Sequence, residues 1–65
     1  MVTLYETTCL TLKRKVSVFD SAEDALKMLE TEQGICGADQ AYGNPGSWDI
    51  CTNTMQLYII EPNNN

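Results

Sequence analysis

The chain has 65 residues, enough for one domain, and a chain of this length buries only about 60% of its unfolded surface, so we expect modest stability. It carries nine Asp and Glu residues against four Lys and Arg residues, which gives a net charge of −5. Three of the four basic residues are consecutive, at Lys13-Arg14-Lys15. Phosphate binding depends on clustered basic residues, so this balance argues against direct nucleic-acid binding and favours a protein partner with a basic surface.

Residue types that carry catalysis or bind metals are few and scattered. The chain has no histidine, and Cys9, Cys36 and Cys51 are widely spaced with no Cys-x-x-Cys pair. A bridge between Cys36 and Cys51 could close the loop between them, whereas a cytoplasmic chain would keep both thiols reduced. Gly34-Ile35-Cys36-Gly37 is not a phosphate loop, because it lacks the lysine. The sequence therefore predicts a protein without catalytic activity, cofactor or metal.

The first residues after Met1 are strand-like, with neither the basic stretch nor the apolar stretch of a targeting signal. No apolar run approaches the roughly 20 residues that a membrane span needs. We therefore expect a cytoplasmic protein without membrane contact.

The segment up to Phe19 has the pattern of β structure with one break. Apolar residues fall on even positions from Val2 to Val18, among threonines that favour a pleated surface. One strand of this length would far exceed the usual 5–6 residues. We place a turn near Glu6-Thr7-Thr8, which gives strands at about residues 2–6 and 10–19; a turn at Lys13-Arg14 is the alternative.

The period changes from strand to helix at Asp20. Either Asp20 or Ser21 can cap the helix, since both side chains accept hydrogen bonds from free N–H groups of the first turn. Gly34 can end the helix in a left-handed conformation. Helical spacing predicts one apolar stripe, made of Ala22, Ala25, Leu26 and Leu29, and a solvated face with Glu23, Lys27 and Glu30.

Residues 34–49 contain all four glycines and the turn signal Asn44-Pro45-Gly46, which predict a long loop. A structureless loop of this length is unusual in a compact domain, so the segment either carries a short element of its own or has a function. The following strand, at residues 54–61, ends at Pro62 and is apolar on both faces. That composition favours a central strand, or a second face covered by a partner. The sequence thus predicts one α+β domain over residues 1–62, of ββαβ type, with one helix packed on a three-stranded, mainly antiparallel sheet. Residues 63–65 are expected to form a frayed tail.

Large aromatic and acidic side chains occur together in the predicted loop. Tyr42 and Trp48, beside Asp39 and Asp49, have the composition of a protein-binding hot spot. Trp48 has a second interpretation, in which it closes the end of a small core. The predicted partner-binding set combines these four residues with the helix carboxylates Asp20, Glu23, Asp24 and Glu30.

The order of the elements resembles that of many tiny phage-encoded proteins. The resemblance is carried by Phe19-Asp20-Ser21-Ala22-Glu23-Asp24-Ala25-Leu26-Lys27-Met28-Leu29 after the strands and by Leu57-Tyr58-Ile59-Ile60-Glu61-Pro62 at the end. One such protein is the small RNA polymerase inhibitor of podophages, whose acidic surface implies docking on a basic host protein. The carboxylates that match here are Asp20, Glu23, Asp24 and Glu30. The glycine-rich segment over residues 34–49 departs from that pattern.

The sequence and the resemblance together predict a small acidic protein that binds and inhibits a larger nucleic-acid-handling host protein, such as a polymerase, a nuclease or a defence complex. If the chain is phage-encoded, it acts in the host cytoplasm. The alternative is a structural module that forms a homo-oligomer through its C-terminal strand, where residues 57–60 are apolar on both faces.

Overall fold

The computed structural model describes residues 1–9, 12–41, 43 and 46–63, with the backbone alone at residues 8 and 9. Its strands form a five-stranded sheet in the order β2-β1-β5-β4-β3, in which every neighbouring pair is antiparallel. The elements in chain order are β1 (Val2–Cys9), β2 (Leu12–Phe19), α1 (Ala22–Glu32), β3 (Ile35–Gln40), β4 (Trp48–Thr52) and β5 (Leu57–Pro62).

The predicted ββαβ fold with a three-stranded sheet is wrong, because two further strands form between the helix and the last strand. β3 lies within the predicted loop and β4 begins at its end, and the two pair with Ala38 opposite Ile50 and Asp39 opposite Asp49. The sequence of β3, Ile-Cys-Gly-Ala-Asp-Gln, is rich in residues that are depleted in strands. Its pairing with β4 therefore decides its conformation, against its local propensity.

The first hairpin also turns at a different place from either predicted site. β1 continues to Cys9 and β2 begins at Leu12, so the connection falls on residues 10 and 11, outside the described residues. Near the middle of the hairpin the register shifts between Leu4 and Tyr5, and Val16 is left without a partner. Such a bulge adds one residue to a strand and breaks the strict alternation of its faces. Even-numbered apolar residues therefore do not share one face, and Val16 is 45% exposed.

The helix forms where the sequence predicts it. Ser21 is the N-cap, and its Oγ accepts a hydrogen bond from the Asp24 N–H at 3.3 Å. Gly34 follows the last turn with φ +76°, and its N–H donates to the carbonyls of Leu29 and Glu30 at 3.1 Å each. Glycine adopts this left-handed conformation without a steric penalty, so the predicted stop at Gly34 is confirmed.

Helix α1 connects the two edge strands, β2 and β3, and therefore crosses one face of the sheet. Eleven helical residues span about 16 Å, close to the roughly 19 Å across five strands. The core lies between this helix and the sheet and consists of Val2, Leu4, Ala25, Leu29, Ile50, Tyr58 and Ile60. The opposite face, which bears Tyr5, Leu57 and Ile59, is covered by no described element, and we call it the open face. β5 is the central strand, which is one of the two interpretations of its two-sided apolar pattern. It begins at Leu57 and includes Pro62, whereas the sequence predicts a strand at residues 54–61 that ends before Pro62.

The hairpin between β4 and β5 places a methionine in a conformation that favours glycine. Met55 has φ +65° and is 89% exposed, so no packing offsets the backbone cost of about 1 kcal/mol. We predict that Met55→Gly raises the melting temperature by about 4–8 °C. Thermal unfolding of this variant measures the effect, with Asn53→Gly as the control, because Asn53 lies in the same turn without a positive φ. A lower melting temperature for Met55→Gly would contradict the left-handed turn.

Glu6 gives the fold a dependence on acid pH. Its carboxylate accepts a hydrogen bond from Gln56 Nε2 at 2.9 Å and pairs with Arg14, and these contacts, led by that of Gln56, lower the pKa of Glu6. The stabilisation is therefore present above the unfolded pKa of about 4.3 and is lost as the pH falls through the lower folded pKa. We predict that the difference in melting temperature between wild type and Glu6→Gln shrinks between about pH 6 and pH 3. Glu32→Gln, which removes the same charge outside this network, is the control; a difference independent of pH would contradict the prediction.

Candidate functional site on the open face of the sheet

The strand register aligns one side chain from each strand in a line across the open face. From β2 to β3 this line consists of Lys15, Tyr5, Ile59, Asp49 and Asp39, and we call it the cross-sheet row. The row is basic at one end, apolar in the middle and acidic at the other end. Its ends are about 19 Å apart, since neighbouring strands lie about 4.8 Å from each other.

A second line of residues runs beside the cross-sheet row. It comprises Lys13, Thr7, Leu57, Cys51 and Gly37, again from β2 to β3. Leu57 stands at its centre and is 47% exposed. The central strand therefore presents two aliphatic side chains, Leu57 and Ile59, on a face that solvent reaches.

A shallow groove of about 360 Å³ lies on this face, towards β3 and β4. Leu57 and Ile59 line it on the apolar side, and Asp39 and Asp49 line it on the acidic side. Gly37 also borders it, and a Cβ at that position would meet no atom within 4 Å. The groove is thus open, mainly apolar and negatively charged at one side.

Asp39 and Asp49 lie directly opposite each other on neighbouring strands. The sequence groups these two residues with Tyr42 and Trp48, and the register of β3 and β4 brings the two aspartates together. Both carboxylates are exposed, and neither makes an ion pair or hydrogen bond within the described residues. Like charges directly opposite each other destabilise a sheet, so a cation brought by a partner would relieve a cost already present in the folded chain.

The basic end of the open face is already partly neutralised within the chain. Lys13 Nζ lies 2.8 Å from Glu61 Oε2 and 4.6 Å from the centre of the Tyr5 ring. The hydrogen bond to Glu61 raises the pKa of Lys13. Lys15 is exposed and has no ion pair within the described part of the chain, so its charge is available to a partner.

The predicted partner-binding residues do not form one surface. Asp20, Glu23, Asp24 and Glu30 are exposed on or beside helix α1, across the sheet from the open face. Glu30 also has a local role, because its Oε2 accepts a hydrogen bond from the Ile35 N–H at 2.8 Å. The helix carboxylates are therefore separated by the sheet from the two aspartates that share the open face.

Neither of the two predicted aromatic anchors is placed on the open face. Trp48 is partly buried, packs against the core and pairs with Ile60, which agrees with its interpretation as a core-closing residue. Tyr42 lies outside the described residues, so its contribution stays a prediction. Sequence reasoning missed Lys15 and Tyr5 as site residues, because only the strand order brings them into line with Asp49 and Asp39.

Two cysteines meet beside the open face. Cys36 occupies the bulge of β3, and its Sγ lies 2.9 Å from the Sγ of Cys51 on β4. The hydrogen bond from Cys36 raises the pKa of the Cys51 thiol. The structure therefore brings together the pair that the sequence left either bridged or reduced, and both thiols are free in it.

We predict that glutathione disulfide converts this pair into one intramolecular disulfide. The thiolate of one cysteine attacks glutathione disulfide and releases one glutathione thiol, and the second cysteine displaces the other glutathione thiol. Mass analysis of the proteolytic peptides that contain Cys36 and Cys51 should show the loss of two hydrogen atoms from the pair, and alkylation should then fail at both positions. Cys36→Ser is the matched control and should retain a mixed disulfide instead. Stable glutathione adducts on the wild-type pair would contradict the prediction.

Within the described residues, no three His, Cys, Asp or Glu side chains are grouped in a way that could hold a metal ion. No helix in that part of the chain has the length and apolar character needed to cross a membrane.

Comparison of the chain with protein-family models, curated proteins and solved structures finds no match. The resemblance to phage-encoded inhibitors therefore stays an expectation from the sequence. Functional inference depends on the surfaces that the fold itself presents, and the open face is the most distinctive of them.

Proposed function

We propose that this chain is a non-catalytic protein-binding module and that the open face is its docking surface. The single observation that carries the proposal is the cross-sheet row, in which an apolar centre is flanked by a lysine and by two carboxylates that form no ion pair among the described residues. Protein interfaces combine an apolar centre with a polar rim in this way. Charges at the rim mainly set the orientation of the partner and the rate of association.

The apolar residues of the central strand support the same proposal. An antiparallel sheet covered on one side usually shows polar residues on its solvated side. Here the solvated side of β5 carries Leu57 and Ile59, and the neighbouring positions carry Tyr5 and Cys51. Burying these side chains against a partner would be favourable by about 25 cal/mol for each Å² of apolar surface removed from water.

The test is an affinity capture from the lysate of the source cell with matched baits. Wild type is compared with an open-face variant, Leu57→Asn with Ile59→Asn, and with a helix variant, Asp20→Asn with Glu23→Gln and Asp24→Asn. A partner that the helix variant retains and the open-face variant loses supports the proposal. A folded open-face variant that loses no captured partner contradicts it.

We propose, as a second candidate, that the acidic helix docks on a basic surface of a nucleic-acid-handling host protein and blocks that surface. Its support is the exposure of Asp20, Glu23 and Asp24 around the start of α1, with no ion pair within the described residues. The helix variant above tests it, and Glu30 is left unchanged because its carboxylate accepts the Ile35 N–H. Capture that is lost with this variant and weakens with salt supports the second candidate. Capture that changes neither with the helix variant nor with the salt concentration contradicts the second candidate.

A further inference from the structure

We propose that the occupant of the open face is a second copy of this chain, related to the first by a two-fold axis parallel to the strands. This inference rests on the proposed function, since it names the partner of the same surface. We infer this occupant from the charges of the cross-sheet row, because the basic end of the row in one copy can face the acidic end of the same row in the other.

The complementarity depends on the direction of the two-fold axis. An axis along β5 exchanges β2 with β3 and β1 with β4 between the two copies. Lys15 of one copy then faces Asp39 of the other, the Tyr5 hydroxyl faces the Asp49 carboxylate, and Ile59 packs on its own image. Because such an interface is isologous, each of the two polar contacts occurs twice. An axis across the strands would instead oppose Lys15 to Lys15 and Asp39 to Asp39, which is unfavourable.

The second line of residues fits the same symmetry. Leu57 packs on its own image beside Ile59, which makes a continuous apolar centre. In this line Lys13 stands opposite Gly37 of the other copy, and no described atom lies within 4 Å of a Cβ position at Gly37. The Lys13 side chain extends away from that position over Tyr5 of its own copy, where its Nζ reaches Glu61. Lys13 can therefore keep its ion pair with Glu61 in the dimer. Glu61, two residues after Ile59 on the same face of β5, lies opposite its own image across this axis, and the Lys13 ammonium of each copy neutralises it.

The broad face of the protein is large enough to hold an interface of standard size. The protein measures 32 × 25 × 20 Å, and its broad face is of the order of the 800 Å² per partner that a standard interface buries. Two sheets packed face to face lie about 10 Å apart with strands crossing at about 30°. Helix α1 of each copy then lies on the outside, so its carboxylates stay available to another protein.

The test uses two charge-reversal variants. Each variant should weaken its own homodimer, and the two variants should bind each other when they are mixed. Lys15→Glu brings a new carboxylate opposite Asp39 in its own homodimer, and Asp39→Lys brings a new ammonium group opposite Lys15 in its own homodimer. We expect wild type to dimerise and each single variant to dimerise at least about tenfold more weakly at low salt. An equimolar mixture should form a heterodimer of near wild-type affinity, because positions 15 and 39 again carry opposite charges in both of their facing contacts. Sedimentation equilibrium over a range of concentrations measures all four samples.

The control is the pair Glu23→Lys and Lys27→Glu on the helix, which makes the same changes of charge away from the open face and should leave dimerisation unchanged. A wild-type protein that stays monomeric at millimolar concentration overturns the inference, and so does a dimer indifferent to both reversals. If the protein is monomeric but the open-face bait loses a captured partner, the proposed function survives without the second copy. If the protein forms no dimer and the open-face variant loses no captured partner, the inference and the proposed function are both wrong.

Discussion

Ile60→Ala is expected to lower the free energy of unfolding by about 2–5 kcal/mol, the usual cost of truncating a buried aliphatic side chain. Ile60 is fully buried on the helix side of the central strand, between Leu4 on β1 and Trp48 on β4. A domain of this length has a total stability of roughly 3–10 kcal/mol, so the substitution removes a large part of it. Urea unfolding followed by circular dichroism, at a concentration low enough to keep the chain monomeric, measures the loss.

Ile59→Ala is the matched control, because it makes the same chemical change one residue earlier in the same strand. Ile59 is partly exposed on the open face, so its truncation leaves no enclosed cavity. We expect it to cost less than about 1.5 kcal/mol in the monomer. Equal losses for the two variants would contradict the assignment of the two faces of β5.

Ile59→Lys is expected to abolish self-association while leaving the fold intact. Ile59 lies at the centre of the proposed interface, where its image in the second copy is its nearest neighbour. Two lysines there would bring like charges together in a centre from which water is excluded, so we expect dimerisation to weaken by about 100-fold or more. Sedimentation equilibrium measures the association, and thermal unfolding of the dilute protein measures the fold.

Met55→Lys controls for the added charge. Met55 lies at the tip of the β4–β5 hairpin and is 89% exposed, so a lysine there adds the same charge away from the centre of the open face. We expect this variant to dimerise like wild type. If Ile59→Lys also dimerises like wild type, the open face is not the interface.

The helix was predictable because its signals are local. Ser21 caps it, Gly34 ends it, and Ala25 and Leu29 fall on the buried side of an apolar stripe with helical spacing. Each of these features depends on residues within one or two turns of the chain. The position of β5 in the centre of the sheet was predictable for a similar reason, since its own alternation is apolar on both faces.

The strands β3 and β4 were not predictable from local propensity. The glycines that suggest a loop lie at the start of β3, within it and in the connection to β4, and β3 has few residues that favour strands. Its conformation depends on pairing with β4. The bulges at Val16 and Cys36 shift the register of two hairpins, and no turn signal in the sequence marks them.

The candidate site was predictable only in part. The sequence placed Asp39 and Asp49 in one predicted binding set, and the structure pairs them across β3 and β4. It grouped them with helix carboxylates that the structure places beyond the sheet, because the face on which the helix packs depends on the strand order. Lys15 and Tyr5 lie in line with the aspartates because β5, the last strand of the chain, pairs with both β1 and β4. No local feature of the sequence indicates this strand order.

The central claim is that the open face binds a second copy of the chain, and an isotope-filtered nuclear Overhauser experiment tests it most directly. A mixture of labelled and unlabelled protein reports contacts between copies alone. The account predicts contacts between copies among the Ile59 and Leu57 methyl groups, and none from the partly buried helix residues Leu26 and Met28. Contacts between copies that involve the helix, or no such contacts at millimolar concentration, would contradict it.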